Sequence, residues 1–229
     1  LAVNRGILIL GLTQLFAVFL FFNGLNFKNF IKIIISFFFI IYVFGLLGQL
    51  RIGKKNVDIF YELISDDHKE LFVEKLPIGF SWSYIYFTAS LDNVNENIDK
   101  IVPNYSPKTI LSSLIPSIVS KKIFKKIDNY EDRYIMKMTN PLINTFTYFA
   151  PYLLDFGIAG ALIILSFIQF IINYIYIRSR EGDFKYQLIY PVFLSSILLS
   201  IFTDYLFNLV IVMEIIILYK VGKKSIFVK

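Results

Sequence analysis

Several stretches of this chain are long enough and apolar enough to cross a lipid bilayer, and no other feature constrains the fold as strongly. A transmembrane helix needs roughly 20 predominantly apolar residues, and continuous apolar runs cover 6–22, 30–50, 152–177 and 187–219. With 56% hydrophobic residues, the chain is more apolar than an ordinary soluble domain. The runs are continuous and do not alternate, so they favour helices over strands. We therefore predict an all-α integral membrane protein.

The last apolar run, 187–219, is longer than one perpendicular span and contains Asp204 near its middle. A charged side chain at the bilayer centre costs about 2.5–3.5 kcal/mol on insertion scales. We therefore predict that the run divides into two spans, 187–203 and 206–220, with Asp204 at the turn between them. One long tilted helix is the alternative. The divided run brings the total to about five transmembrane helices.

Basic residues are concentrated in the short connections and the tail, and this pattern predicts the orientation of the five helices. With five spans these connections all fall on one side, which the positive-inside rule makes cytoplasmic. We accordingly expect two transmembrane helices in 1–50, a large external helical loop in 51–147, and three transmembrane helices with a cytoplasmic tail in 148–229. The basic residues are Lys28, Lys32, Arg178, Arg180, Lys185, Lys220, Lys223, Lys224 and Lys229.

The external loop has the sequence pattern of docked helices and not of a flexible linker. Residues 57–76 carry apolar side chains at helical spacing among acids and lysines, as an amphipathic helix does. Ser106 and Pro107 predict a second helix start, with the serine as the cap and the proline in the first turn. Asn140 and Pro141 repeat this pattern. The loop is therefore expected to be helical and to lie against the spans.

The stretch 140–161 leads from the loop into the third span and carries Asp155 to the outer edge of the membrane. We expect Pro151 to break or bend this helix, because proline lacks a backbone N–H. Asp155 then sits at the outer water boundary, on the same side of the membrane as Arg5 and Arg51. This stretch is expected to close a polar site that faces the non-cytoplasmic side.

Charged groups at the outer ends of the spans are the candidate functional residues. Arg5, Arg51 and Asp155 fall there, and Asp204 joins them if the last run is divided. Two arginines could grip a diphosphate through charge-assisted hydrogen bonds, and a nearby carboxylate could accept a proton from a sugar hydroxyl. Alternatively, the arginines anchor helix ends at the headgroups and the aspartates pair with them. Arg133 is a third phosphate-binding candidate or the partner of a neighbouring acid.

Other kinds of site lack their sequence signals. The chain contains no cysteine, which excludes disulfides, a thiol nucleophile and a cysteine metal site. It has no phosphate-binding glycine loop, no HExxH and no Asp-x-Asp pair, so we expect no metal and no cofactor. The single histidine, His68, lies among charged residues and is most simply a solvated side chain. No basic face with stacked aromatics points to nucleic acid.

Three features of the chain together carry a family resemblance. The first is NTFTYFAPYLLDFGIAGALI at 144–163, a polar-aromatic segment followed by a DFG-x-x-G helix start. The second is the tyrosine-rich YIYFTASLDNVNENI at 84–98. The third is an arginine at a span mouth, Arg5, then a short turn, a span that ends in GQLR at 48–51 and a long outer loop. These features resemble the O-antigen polymerases, the oligosaccharide repeat unit polymerases of bacterial surface polysaccharide synthesis. Because a span begins at once after Leu1, we expect the C-terminal portion of such a protein.

The resemblance implies a metal-independent membrane glycosyltransferase with a GT-C-like fold. It would polymerise undecaprenyl-diphosphate-linked repeat units into O-antigen or capsule at the outer face of the bacterial cytoplasmic membrane. Arg5, Arg51 and Arg133 are the expected diphosphate-binding residues, and Arg51 and Asp155 the expected catalytic ones. The implied partners are the lipid-linked oligosaccharide, membrane lipid and a chain-length regulator. An O-antigen ligase and a non-enzymatic polysaccharide or lipid transporter are the alternatives.

Overall fold

The computed structural model describes residues 5–23, 27–52, 77–115, 119, 147–200 and 204–225. All regular structure in these residues is helical, so the predicted all-α architecture is confirmed for the described part of the chain. The helices are α1 (Arg5–Asn23), α2 (Phe27–Ile52), α3 (Ile78–Asn95), α4 (Lys108–Leu114), α5 (Phe149–Arg180), α6 (Phe184–Leu199) and α7 (Leu209–Ser225), with a short 3-10 helix (Ile98–Lys100) between α3 and α4.

Two helices have the length and composition to cross a membrane, namely Lys28–Gly48 within α2 and Phe149–Arg180, which is α5. Only 6% and 17% of the residues in their most apolar windows are buried inside the protein. Such large exposed apolar surfaces are unfavourable in water and suit contact with lipid. Ile9–Asn23 within α1 and Phe184–Leu199, which is α6, are apolar but shorter. The helices therefore have the character of a helical membrane protein.

Aromatic contacts between neighbouring helices show which helix ends lie together. Phe21 of α1 and Tyr176 of α5 both contact Tyr190 of α6, with ring centroids 5.4 and 5.1 Å away. Tyr219 of α7 contacts Tyr186 of α6 at 6.2 Å. The ends of α1, α5 and α7 therefore meet the start of α6, and the start of α2 follows α1 after a short connection. We call this side the basic end; its described cations are Lys28, Lys32, Arg178, Arg180, Lys185, Lys220 and Lys223.

The opposite side, which we call the loop end, gathers the starts of α1, α5 and α7 and the ends of α2 and α6. The backbone N–H of Tyr148, just before α5, donates to the carbonyl of Ser200, just after α6 (2.9 Å). The basic connections and the charged groups of the predicted outer site thus occupy opposite ends of the helices.

The last apolar run is divided, as Asp204 predicts. α6 ends at Leu199 and α7 begins at Leu209, so the break is wider than the expected spans of 187–203 and 206–220. Asp204 stabilises the connection, because its Oδ1 accepts hydrogen bonds from the backbone N–H groups of Leu206 (3.0 Å) and Phe207 (3.2 Å). An aspartate that bonds to the backbone two or three residues ahead favours a turn over a helix.

The described part of the loop is helical and packs on the membrane-length helices. α3 lies against the second half of α2, where an ideal Cβ on Gly45 would overlap the backbone of Gly79. The Ser83 hydroxyl donates to the Ile41 carbonyl at the same contact (2.6 Å), and Trp82 is buried. α3 is therefore docked beside the apolar part of α2. The predicted helix at 57–76 and the helix start at Asn140 lie outside the described residues.

Candidate functional site

The Asp155 carboxylate is fully buried and holds the segment that precedes α4. Its Oδ1 accepts hydrogen bonds from the Thr109 N–H (3.0 Å) and the Asn104 side-chain amide (3.4 Å). Its Oδ2 accepts one from the Ile110 N–H (3.0 Å). Asp155 has no exposed surface, so the carboxylate is enclosed by protein. The prediction that it faces water at the membrane boundary is therefore wrong.

Asp155 caps α4 from a distant part of the chain. Thr109 and Ile110 are the second and third residues of α4, and the first backbone N–H groups of a helix have no partner within it. A negative charge at this position also favours the helix dipole. The prediction that Ser106 caps this helix is wrong: the helix begins at Lys108, and no local side chain bonds to its first N–H groups.

α5 is interrupted at Gly157, two residues after Asp155. Gly157 has φ 69° and ψ −176°, a backbone conformation that glycine adopts at little cost and other residues rarely adopt. The prediction that Pro151 breaks this helix is wrong. Pro151 is the third residue of α5, where a helix needs no donor from the backbone nitrogen, and the change of direction occurs at the glycine.

The loop is attached to α5 at this kink. The Asn104 N–H donates to the Leu154 carbonyl (3.0 Å), an acceptor in the last turn before the interruption. Pro103 packs over Gly157, where an added Cβ would come within 3.3 Å of the proline ring. The carbonyl before the kink therefore receives a hydrogen bond from the loop.

A cavity of about 520 Å³ lies between the loop and the kinked part of α5. Ile98, Ile101 and Pro103 line its loop side, and Phe156 and Gly157 are among the residues that line its α5 side. The lining is predominantly apolar, and the adjoining face of α5 is exposed. We call this space the kink groove. It lies at the loop end, next to the segment that Asp155 holds in place.

The half-buried Asp204 and the buried Tyr152 form a second polar pair at the loop end. The Asp204 side chain lies beside the Tyr152 hydroxyl. Neither that hydroxyl nor Asp204 Oδ2 forms a hydrogen bond of standard geometry with another described residue. Burial raises the pKa of the Asp204 carboxyl to about 6, and the N–H groups of Phe207 and Leu206 partly offset this rise. The pair lies close to α4, because Ser113 donates to the carbonyl of Phe207 (2.8 Å).

The three predicted diphosphate-binding arginines are described to different extents. Arg5 is the first residue of α1, and Arg51 lies in the last turn of α2, so their backbones are both at the loop end. The structure does not describe the positions of their side chains. Arg133 and His68 lie outside the described residues. The helices therefore bring Arg5 and Arg51 to the end that also holds Asp155, while their roles remain predictions.

Glu214 of α7 pairs with Gln14 of α1, a residue that the sequence analysis did not identify as a candidate. The Gln14 side-chain amide of α1 donates to Glu214 Oε2 of α7 (2.8 Å), and both groups are partly buried. Asn104 and Tyr152 were also missed as partners of the two aspartates. Asn104 carries one local signal, an asparagine directly after a proline, which is typical of a turn. Tyr152 and Gln14 carry none.

No protein-family model, curated protein or solved structure matches the chain.

Proposed function

We propose that this chain is part of a membrane glycosyltransferase that polymerises undecaprenyl-diphosphate-linked repeat units at the outer face of the bacterial cytoplasmic membrane. The observation that carries the proposal is the grouping at the loop end of two arginine-bearing helix ends, the buried Asp155, the half-buried Asp204 and the kink groove. The basic connections, which favour the cytoplasmic side, lie at the other end. The five spans and the outward orientation of the loop are part of this proposal.

In this proposal Arg5 and Arg51 bind the diphosphate of the donor, and Arg133 is a third candidate. The bond between the donor sugar carbon and the diphosphate oxygen breaks, and the diphosphate leaves with the electron pair. A hydroxyl oxygen of the incoming repeat unit forms the new bond to that carbon, and its proton passes to the departing diphosphate. Arginines placed at the leaving oxygens stabilise the negative charge that develops there, and this requires no metal.

Asp155 is assigned a positioning role, because both of its carboxylate oxygens already accept hydrogen bonds from the loop. A general base needs an oxygen that can reach the acceptor hydroxyl. Through its contacts to Asn104, Thr109 and Ile110, Asp155 instead holds the loop segment that adjoins the kink groove. The predicted proton-accepting role of Asp155 is therefore replaced, within the proposal, by fixing the shape of the site.

The kink groove suits the lipid part of such a substrate. Its apolar lining adjoins the exposed apolar face of α5, where Leu162 is 59% and Ile163 71% exposed. An isoprenoid chain could enter from the lipid phase without crossing a polar surface. Its diphosphate would then lie at the level of the loop end, where α1 begins at Arg5 and Arg51 lies in the last turn of α2.

Replacing Arg51 with Ala tests the proposal in cells that depend on the full-length protein for surface polysaccharide. Long-chain polysaccharide is expected to disappear, while single repeat units on the acceptor lipid persist. Arg180→Ala is the matched control, since Arg180 is an exposed arginine at the basic end, and it should leave the chain-length pattern unchanged. Normal long chains in Arg51→Ala cells that contain the protein at wild-type level would refute the assignment.

The kink at Gly157 also favours one alternative, because interrupted helices are common in transporters. Transporters place such breaks near the bilayer midplane, whereas Gly157 lies in the first third of α5, toward the loop end. Purified full-length protein provides the discriminating assay. Lengthening of lipid-linked repeat units in detergent, without a membrane gradient, supports the polymerase, and movement of these lipids across vesicles without lengthening supports the transporter.

A further inference from the structure

Tyrosines form a layer just inside the basic end. Tyr174 contacts Tyr186 at 5.9 Å between ring centroids, Tyr186 contacts Tyr219 at 6.2 Å, and Tyr176 contacts Tyr190 at 5.1 Å. The layer therefore joins α5, α6 and α7 at one level. Tyrosine is enriched where a helix passes from hydrocarbon to headgroups, because its ring is apolar and its hydroxyl is polar.

Arg180, Lys220 and Lys223 follow the tyrosines of this layer in α5 and α7, and the cations of the basic end differ in their partners. Arg178 is paired with Glu181 (2.7 Å), and Lys185 is close to Asp183 (3.5 Å) and to the rings of Tyr186 and Tyr219. The remaining cations are exposed, and none of them forms an ion pair with another described residue. They are Lys28, Lys32, Arg180, Lys220 and Lys223.

The described side chains give this end a clear excess of positive charge. Its seven described cations face two acids, Glu181 and Asp183, and both acids are already engaged by Arg178 and Lys185. Exposed lysines and arginines just beyond an aromatic layer lie at the depth of lipid phosphates. Each such cation raises the binding constant for an anionic lipid surface roughly fivefold.

We propose that the basic end is a binding surface for the headgroups of anionic phospholipids, with Arg180, Lys220 and Lys223 as its main contacts. Arg180 ends α5, and the two lysines lie in the last turns of α7. The start of α6 contacts the end of α7: the backbone of Gly222 lies so close to Lys185 that an added Cβ would overlap it. The three cations therefore border one surface. This inference shares the membrane-spanning arrangement with the proposed function but does not depend on the polymerase activity, because it concerns the opposite end of the molecule.

Lipid competition on the purified full-length chain tests the proposal. The protein is placed in nanodiscs with equal amounts of phosphatidylglycerol and phosphatidylcholine, and the lipids that remain bound after transfer to mild detergent are counted by native mass spectrometry. Wild type is expected to retain phosphatidylglycerol preferentially. The triple variant R180Q/K220Q/K223Q should lose on the order of a hundredfold in this preference, and K100Q/K108Q, which removes two exposed lysines at the loop end, should keep it.

The charge-retaining variant R180K/K220R/K223R is the second test, since it keeps the cations if the triple glutamine variant fails to fold. It should retain the wild-type preference, and the preference should fall as salt is raised. An unchanged preference in R180Q/K220Q/K223Q, or an equal loss in K100Q/K108Q, would overturn the proposal. Displacement of phosphatidylglycerol by millimolar inorganic phosphate would also overturn it, because the surface would then bind free phosphate.

Discussion

Removing the Asp155 carboxylate should release α4 from the start of α5. In Asp155→Ala, the N–H groups of Thr109 and Ile110 lose the acceptors that now lie 3.0 Å from each. A hydrogen bond to a charged group contributes about 1.5–3 kcal/mol, and a buried donor left without a partner carries a similar penalty. Two such losses amount to about 3–6 kcal/mol.

Hydrogen exchange measured by mass spectrometry on the protein in nanodiscs provides the assay. A loss of about 3 kcal/mol corresponds to a more than hundredfold increase in local opening, so the peptide that contains Thr109 and Ile110 should exchange much faster. Asp155→Asn keeps one acceptor oxygen and should have a smaller effect. Asp92→Asn, at an exposed acid of α3, is the control and should leave this peptide unchanged.

The reasoning has a clear point of failure. If Asp155→Ala leaves exchange of the α4 peptide at the wild-type rate, the carboxylate does not hold the loop. A uniform increase across α5, α6 and α7 would point to general unfolding and would equally contradict a local role. Increased exchange confined to the loop and the kink is the expected outcome.

Three further perturbations test other contacts. Gly157→Ala should lower the free energy of unfolding by about 1–3 kcal/mol, because alanine is strained at positive φ and would crowd Pro103. Thermal unfolding in detergent measures this loss, and an unchanged melting temperature would contradict it. Burial raises the pKa of Asp204 from 3.8 to about 6, so its contribution to stability is complete below pH 4 and is lost as the pH rises through 6, a fall of up to about 3 kcal/mol. Denaturant titrations at several pH values should show this fall in wild type and not in Asp204→Asn, and equal slopes would refute it. Gln14→Leu should cost about 1–3 kcal/mol because Glu214 loses its donor, whereas Glu214→Gln keeps a partner for Gln14 and should unfold close to wild type.

The parts of the fold that depend on residues close together in the sequence could be predicted from it. The apolar runs lead to helices of membrane length, and Asp204 divides the last run because the cost of burying a charge in lipid is a local property. The grouping of basic connections at one end also follows from counting helices. In each case the deciding interaction is with the solvent or the lipid and not with a distant residue.

The contacts of Asp155 could not be predicted in this way. Its partners include two backbone N–H groups, at Thr109 and Ile110, and a backbone amide is the same for almost every residue type. The position of the kink was missed for a different reason. Pro151 is the stronger helix breaker in a sequence, but its place in the first turn makes it harmless, so the break falls at Gly157.

The cap that Asp155 provides for α4 implies an order of biogenesis. During synthesis Thr109 and Ile110 leave the ribosome well before Asp155, and Ser113 precedes Phe207 by still more of the chain. The start of α4 can form its hydrogen bonds only after α5 has been inserted. Its end can bond to Phe207 only after the connection between α6 and α7 has been made. The loop beside the kink groove is consequently fixed late in assembly, and a chain truncated after α5 would hold α4 at its start only.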